Sequence, residues 1–161
     1  GCWVAGTASR DDKLVRAKAW GLDVGYNYKR ENIAERVMAD TGGQGVDVGL
    51  MTIGEETATM LFDSMGMAGR VIMYGSTGGR QVCFSLNIGV KNIELHSMSI
   101  STSPRFMTET MCTFRDEALP LFASRVFKPV LDVVLPLSEL RRAHEMIDER
   151  THFGKIVLKV D

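Results

Sequence analysis

Residues 46–75 read VDVGLMTIGEETATMLFDSMGMAGRVIMYG, and this stretch decides the fold class. Its first part, VDVGLMTI, is a near-continuous apolar run bounded by glycines, the pattern of a strand covered on both faces. In EETATMLFDSM, Ala58, Leu61, Phe62 and Met65 fall at i, i+3, i+4 and i+7, which predicts a helix with one buried stripe. RVIMYG (70–75) then reads as a second buried strand. The same alternation extends in both directions. Upstream, Cys2–Thr7 is strand-like, and Ser9 with Asp12 three residues on forms an S-x-x-D capping pattern. The helix it predicts carries Leu14, Ala17 and Lys18 on one face and closes at Gly21. DVGYNY (23–28) is a short strand, and RENIAERVMADTGG (30–43) places Ile33, Val37 and Met38 at helical spacing before a glycine pair. Downstream, IELHSMSI (93–100) reads as a further buried strand. Strands alternating with helices of this length predict an α/β domain, with a parallel sheet covered by helices on both faces.

The tail is organised differently. Residues 104–125 read as a helical stretch that Pro120 should kink or restart. VLDVVLP (130–136), a helix with Leu140, Ala143, His144 and Ile147 on one face, and the strand KIVLKV (155–160) follow.

With 161 residues and 45% apolar composition, the chain suffices for one ordinary domain with a real core. Nineteen basic and 20 acidic residues balance to a formal charge of −1, which argues against a nucleic-acid partner. No apolar run approaches the ~18 residues that cross a bilayer, which argues against a membrane partner. Cys2, Cys83 and Cys112 are widely spaced with no C-x-x-C pair, so no disulfide framework or zinc knuckle is expected. Each reads as a small buried apolar residue. His96 within a strand and His144 on a helix face read as packing residues rather than ligands.

In open parallel sheets, ligands bind beyond the carboxyl ends of the strands. Those ends are GTAS, YNYK, TIGE, YGST and SIST, small and hydroxyl-rich turns suited to a nucleotide. Four stretches then carry a resemblance: GTASRDDKLVRAKAWGLD (6–23), NYKRENIAERVMADTGGQGVDV (27–48), MGMAGRVIMYGSTGG (65–79) and RRAHEMIDERTHFGKIVLKV (141–160). In order and spacing they resemble the medium-chain dehydrogenase/reductase superfamily, in particular the zinc-independent, NADPH-using quinone oxidoreductases. The resemblance implies a Rossmann-like doubly wound parallel sheet with strand order 3-2-1-4-5-6. It also implies that this chain starts at the second strand, as a carboxyl-terminal fragment lacking the first strand and its glycine-rich turn. Gly43-Gln44-Gly45 does not supply that turn, because Val48 stands where the third glycine belongs and a strand follows.

Members of the superfamily that select NAD carry an acidic residue after the second strand, where it meets the ribose 2′-hydroxyl. Here Ser9 and Arg10 stand in that place, and the first carboxylate is Asp11. The residues alone leave open a plain helix cap with a solvated first turn. The resemblance implies that Ser9, Arg10, Lys13 and Tyr28 form a 2′-phosphate pocket for NADP. It further implies backbone contacts from Thr52 and Ile53, a turn at Gly75 and Ser76 near the nicotinamide ribose, and a reach to the cofactor by Lys155. An exposed strand lysine is the plain alternative for Lys155. Met51 departs from the acidic residue often found there. Neither Tyr26 (Arg30 four residues on) nor Tyr74 (Gly78) makes the Y-x-x-x-K pair of short-chain reductases.

The expected parent enzyme is an NADP-dependent oxidoreductase that transfers a hydride to a quinone, enone or other carbonyl compound. Residues 1–126 would be its cofactor-binding domain, incomplete at the amino end, and residues 127–161 would partly complete a catalytic domain. No catalytic or metal-binding residue is assigned, and the 161 residues alone are expected to be inactive. An enoyl reductase module of a larger synthase is the alternative, against which the ending KIVLKVD weighs, as is a nucleotide-binding fragment without turnover. A small-molecule substrate, a homodimer and a cytoplasmic location are also expected. The implied strand order leaves a central gap between CWVAGT and VDVGLMTI, to be filled by further polypeptide rather than by direct pairing of the two.

Overall fold

The structure, a computed structural model, describes residues 1–52, 55–75, 84–99 and 104–160. The chain divides into two compact units, Gly1–Ile100 and Ser101–Asp161. The first unit contains β1 (Ala5–Ala8), α1 (Asp11–Lys18), β2 (Val24–Asn27), α2 (Ile33–Asp40), β3 (Val46–Met51), α3 (Glu55–Ser64), β4 (Met65–Met73), α4 (Asn87–Val90) and β5 (Glu94–Ser97). The expected alternation of strands and helices is present, and every strand pairing is parallel.

The pairings form two ladders. β1 pairs with β2 in register Ala5↔Val24 to Ala8↔Asn27. β3, β4 and β5 form the second, with Gly49↔Val71 and Val71↔Leu95 at its centre. Among the described residues β1 and β3 do not pair, so the expected gap stands open. It is a cleft of about 910 Å³, lined by residues 2–7 on one side and 44–52 on the other.

What prevents its collapse is the layer beneath. Tyr26 of β2 and Ile33 and Val37 of α2 are 1–4% exposed and pack against Val46 of β3 and Met60 of α3. The second ladder has its own core of Met51, Ala58, Phe62, Met65, Val71 and Ile93. Of the stripe expected on one helix, Ala58 and Phe62 are buried and Leu61 partly covered on α3, while Met65 is buried but begins β4, because the helix ends at Ser64. Gly49 of β3 lets α3 come close, since a Cβ there would lie 2.8 Å from Leu61 Cδ1.

Several expectations of burial fail, two of them (β3 and Cys2) beside the open cleft. β3 was expected to be covered on both faces, yet Val48 and Leu50, which share one face, are 59% and 66% exposed, whereas Gly49 and Met51 on the other face are buried; among the described residues the first face lacks a full covering layer. All four residues of β5 are exposed, as befits a ladder edge. His96 is an exposed residue there, with Nε2 3.2 Å from the Glu94 carboxylate rather than in a core. Cys2 is exposed at the cleft mouth and Cys112 on a solvent-facing helix; Cys83 lies outside the described residues. The capping expectation also fails. The β1–β2 ladder runs on through a bond from Tyr28 N–H to the Ala8 carbonyl, so Ser9 sits in the turn. Arg10 becomes the N-cap without a side-chain cap bond, and Asp11 and Asp12 face the helix amino end instead. α2 does have a cap: Asn32 Oδ1 accepts from Glu35 N–H, and Asn32 Nδ2 donates to Glu35 Oε1 at 2.7 Å.

The second unit contains α5 (Pro104–Thr113), a π-turn over Phe114–Ala118, α6 (Leu119–Ala123), β6 (Leu131–Pro136), α7 (Leu140–Asp148) and β7 (Lys155–Lys159). The helical stretch restarts at Pro120 as expected, because proline cannot supply the next backbone donor. β6 and β7 pair in parallel. On α7 only Ala143 is buried, and His144 is exposed rather than packed. No helix among the described residues is long and apolar enough to cross a membrane.

The two kinds of apolar residue should respond differently to truncation. Phe62→Ala is expected to cost about 3–5 kcal/mol of unfolding free energy, and Val48→Ala less than about 0.5 kcal/mol. Urea unfolding followed by circular dichroism tests both. A large loss at Val48 would show that β3 is covered in solution.

Candidate functional site

The carboxyl ends of the two ladders bring together most of the residues singled out in the sequence. At the first ladder, the bond from Tyr28 N–H to the Ala8 carbonyl (3.2 Å) sets the start of the Ser9–Arg10 turn beside Tyr28. Lys13 follows in the first turn of α1 and is half-buried. At the second ladder, Tyr74 N–H donates to the Met51 carbonyl at 3.1 Å, which carries β4 past the end of β3. Gly75 therefore lies against Thr52: a Cβ on Gly75 would be 3.3 Å from the Thr52 carbonyl oxygen. A side chain here would fill the crook between the strand ends that a ligand would need. Ile53 and Ser76 lie outside the described residues. Met51 is 2% exposed within the core, so it offers no polar contact. Lys155 starts β7 in the second unit, exposed, with its N–H bonded to the Val130 carbonyl at 2.8 Å.

The charges around the first ladder's end are organised in a way the sequence did not reveal. Asn27 is 4% exposed, and its Nδ2 donates to Asp11 Oδ1 at 2.5 Å. Arg30 donates to the other oxygen of Asp11 at 2.6 Å. Asn27 Oδ1 accepts from Lys29 N–H, and Asn27 N–H donates to Glu31 Oε1. Asp11 is thus held by β2 and the turn after it, 16 and 19 residues away in sequence. Arg10 forms a two-pronged pair with Asp12, Nε to Oδ1 at 2.8 Å and Nη2 to Oδ2 at 3.1 Å. The guanidinium holds the Asp12 carboxyl below the usual carboxylate range, mainly through these hydrogen bonds. Both side chains are half-exposed, so the pair is screened and weakly stabilising. Each nearby carboxylate is therefore already engaged by a cation. Lys13 has no side-chain partner among the described residues.

Parallel ladders alternating with helices are the architecture of a Rossmann-like α/β domain. A family model described as zinc-binding dehydrogenase matches residues 20–158, and the chain belongs to that family. It is a quinone oxidoreductase-like member of the medium-chain dehydrogenase/reductase oxidoreductases, whose nicotinamide-binding domain this is. Quinone oxidoreductase 1 of Escherichia coli is 28% identical over 158 residues, which cover 95% of this chain and 47% of the relative. The chain thus spans about half the length of the curated relatives it matches. A crystal structure of an NAD-dependent alcohol dehydrogenase superposes with TM-score 0.80 and 27% identity, covering 98% of this chain and 44% of that one. The apo JamJ enoyl reductase shares the fold, with TM-score 0.83 at 16% identity over 100% of this chain and 48% of that one.

The family description names zinc, and the residues here do not fit it. Among the described residues no group of three or more His, Cys, Asp or Glu side chains could hold a metal ion. A nicotinamide dinucleotide fits better. Gly75 brings backbone close to Thr52 with no side chain between them, and in the turn at residues 9–13 Asp11 and Asp12 are each already paired with an arginine beside the Ser9 hydroxyl and Lys13.

Tyr26, at the floor between the ladders, supplies a pH test of this frame. Its hydroxyl donates to Asp40 Oδ2 at 2.7 Å, and burial first, then that bond, pushes its pKa up. A folded-state pKa above the unfolded value of about 10 contributes stability that is full below pH ~10. That contribution is lost as pH rises toward the folded value. The urea midpoint of the native chain should therefore fall more steeply than that of Tyr26→Phe above pH ~10. At neutral pH the substitution should cost about 0.5–1.5 kcal/mol. Parallel pH curves would remove Tyr26 from the floor packing.

Proposed function

We propose that the chain is the carboxyl-terminal, cofactor-binding part of an NADPH-dependent oxidoreductase acting on a quinone, enone or other carbonyl compound. The observation that supports this reading is the turn after β1: Tyr28 N–H bonds the Ala8 carbonyl just before Ser9 and Arg10, and Asp11 and Asp12 are each paired with an arginine. A ribose 2′-hydroxyl needs a free carboxylate acceptor, and none is offered. A 2′-phosphate needs donors and positive charge, and those are present. Its approach would draw Arg10 from the exposed pair with Asp12, a weak competitor beside a phosphate dianion.

Once bound, the nicotinamide supplies the hydride. Within that reading Ser9, Arg10, Lys13 and Tyr28 hold the adenosine end. Thr52 and Ile53 would supply backbone contacts, Gly75 and Ser76 would form the turn near the nicotinamide ribose, and Lys155 would be the basic residue that reaches the cofactor. Donors that stabilise negative charge developing on the acceptor oxygen would come from outside these residues. Residues 1–126 serve the cofactor domain and 127–161 help to complete the catalytic one. The reading includes a homodimer in the cytoplasm with a small-molecule substrate, and neither nucleic acid nor membrane as partner. The likeness to an enoyl reductase keeps a reductase module of a larger synthase as the second reading. The full reading frame distinguishes them, since a module continues into further synthase domains.

In the longer enzyme, Arg10→Ala and Lys13→Ala should each weaken NADPH by roughly 10- to 150-fold, the worth of a hydrogen bond to a charged group, and NADH far less. Isothermal titration with both cofactors measures the ratio. Equal losses would place the pair outside the phosphate pocket.

The 161-residue chain by itself should show no NADPH oxidation with a quinone or enone acceptor above the uncatalysed rate, followed at 340 nm. Steady turnover by the purified chain would sink the proposed division of labour.

A further inference from the structure

We propose that Asn27 and Arg30 are positioning residues for cofactor choice: they keep the Asp11 carboxylate occupied and so keep the turn after β1 selective for a 2′-phosphate. The proposal rests on the reading of Ser9, Arg10, Lys13 and Tyr28 as an NADP pocket. It goes beyond that reading by assigning part of the selectivity to two residues outside the pocket.

Three observations carry it. Asp11 is the first carboxylate after β1 and opens α1. An acidic side chain following this strand is what accepts a ribose 2′-hydroxyl in an NAD site, and its charge opposes a phosphate. Each oxygen of this carboxylate, however, already has a donor: Asn27 Nδ2 meets Oδ1 at 2.5 Å, and Arg30 Nη1 meets Oδ2 at 2.6 Å. Lastly, the Asn27 amide is not free to turn away. The residue is buried, and its Oδ1 accepts from Lys29 N–H at 3.1 Å, which leaves Nδ2 as the end that faces Asp11. Its own N–H donates to Glu31 Oε1 at 2.8 Å. The ladder places Asn27 opposite Ala8, so the pairing of β1 with β2 brings the amide to the start of α1.

Stability alone does not account for the arrangement. Arg30 and Asp11 are both more than half exposed, and a pair so exposed adds little to the folded state. Its consequence is chemical. The pair occupies an acceptor that a ribose hydroxyl would use, and it offsets a negative charge beside the residues assigned to the phosphate. Asp12 is handled locally by Arg10, two residues away, whereas Asp11 is handled from β2 and the turn that follows it.

The test uses the longer enzyme and isothermal titration with NADPH and NADH. Arg30→Ala is the main variant, because the side chain is largely exposed and the bonds of Asn27 to Lys29 and Glu31 stay in place. The NADPH-to-NADH affinity ratio is expected to fall about tenfold, the order set by uncovering one charge beside a phosphate dianion in a solvated turn. Arg30→Lys should recover part of the ratio. Adding Asp11→Asn to Arg30→Ala removes the charge that Arg30 restrains and should restore the native ratio. An unchanged ratio in Arg30→Ala overturns the proposal, and so does an equal loss for both cofactors, which marks a purely structural role. Failure of the double variant to restore the ratio also overturns it, in favour of Arg30 as a direct phosphate ligand. A native preference for NADPH that survives Arg30→Ala removes this inference and leaves the cofactor reading standing, whereas a native enzyme without that preference removes both.

Discussion

The contact between Tyr26, Ile33 and Val37 on one side and Val46 and Met60 on the other holds the first unit together. Each ladder alone has few means of support. A two-stranded ladder is marginal in water, and β1–β2 leans on α2 for its buried residues. The three-stranded ladder has Phe62, Met65 and Val71 at its core, but on its β1-facing side β3 has no neighbour. The layer of α2 and α3 side chains joins the two and fixes their spacing. That is why the gap survives as a cleft. Closing it would slide one ladder by about one strand spacing, ~4.8 Å, and pull Tyr26 and Val37 off Val46 and Met60. Packed interiors resist such shifts because each side chain already occupies a rotamer well among its neighbours.

The same constraint shows which parts of the fold could be read in the sequence. Period and punctuation gave the elements of the first unit nearly in full, because they depend on neighbours three or four residues away. The helical spacing of Ile33 and Val37, both buried on α2, is one example. Burial was less legible because it depends on what stands beside a strand. VDVGLMTI has the composition of a strand covered on both faces, yet the face carrying Val48 and Leu50 is exposed among the described residues. β5 has a similar apolar look and is an edge. Sequence carries propensity, whereas exposure is a property of the assembled layer.

The candidate site was legible in its residues and not in their pairing. Ser9, Arg10, Lys13 and Tyr28 were grouped only through the family resemblance. That Arg10 would reach sideways to Asp12, and that Asn27 and Arg30 would take both oxygens of Asp11, could not be read there. These bonds connect the end of one strand to the turn after the next, and their geometry follows from the β1–β2 register. A buried amide such as Asn27 was the one available signal, since a polar side chain inside a strand demands partners. The displaced helix start has the same origin. Because Ala8 still accepts a ladder bond, the chain cannot turn into α1 until after Arg10, and the serine loses its capping position.

These pairings bear on how the two ends of a dinucleotide would be held. The cations and the hydroxyl belong to the β1–β2 ladder, and the Thr52–Gly75 crook belongs to the β3–β4 ladder. Among the described residues no backbone hydrogen bond joins the two ladders across the cleft, so their separation is set by side-chain packing beneath it. Hydrophobic contacts are non-directional and tolerate small sliding better than a hydrogen-bonded ladder does. A ligand that needs both ends at a fixed separation then bears the cost of restricting that sliding when it binds. A strand in the cleft would replace this soft coupling with two rows of directional bonds and remove most of that cost beforehand. The geometry of the cofactor site and the completeness of the sheet are therefore one physical problem, and the packing around Tyr26 is where they meet.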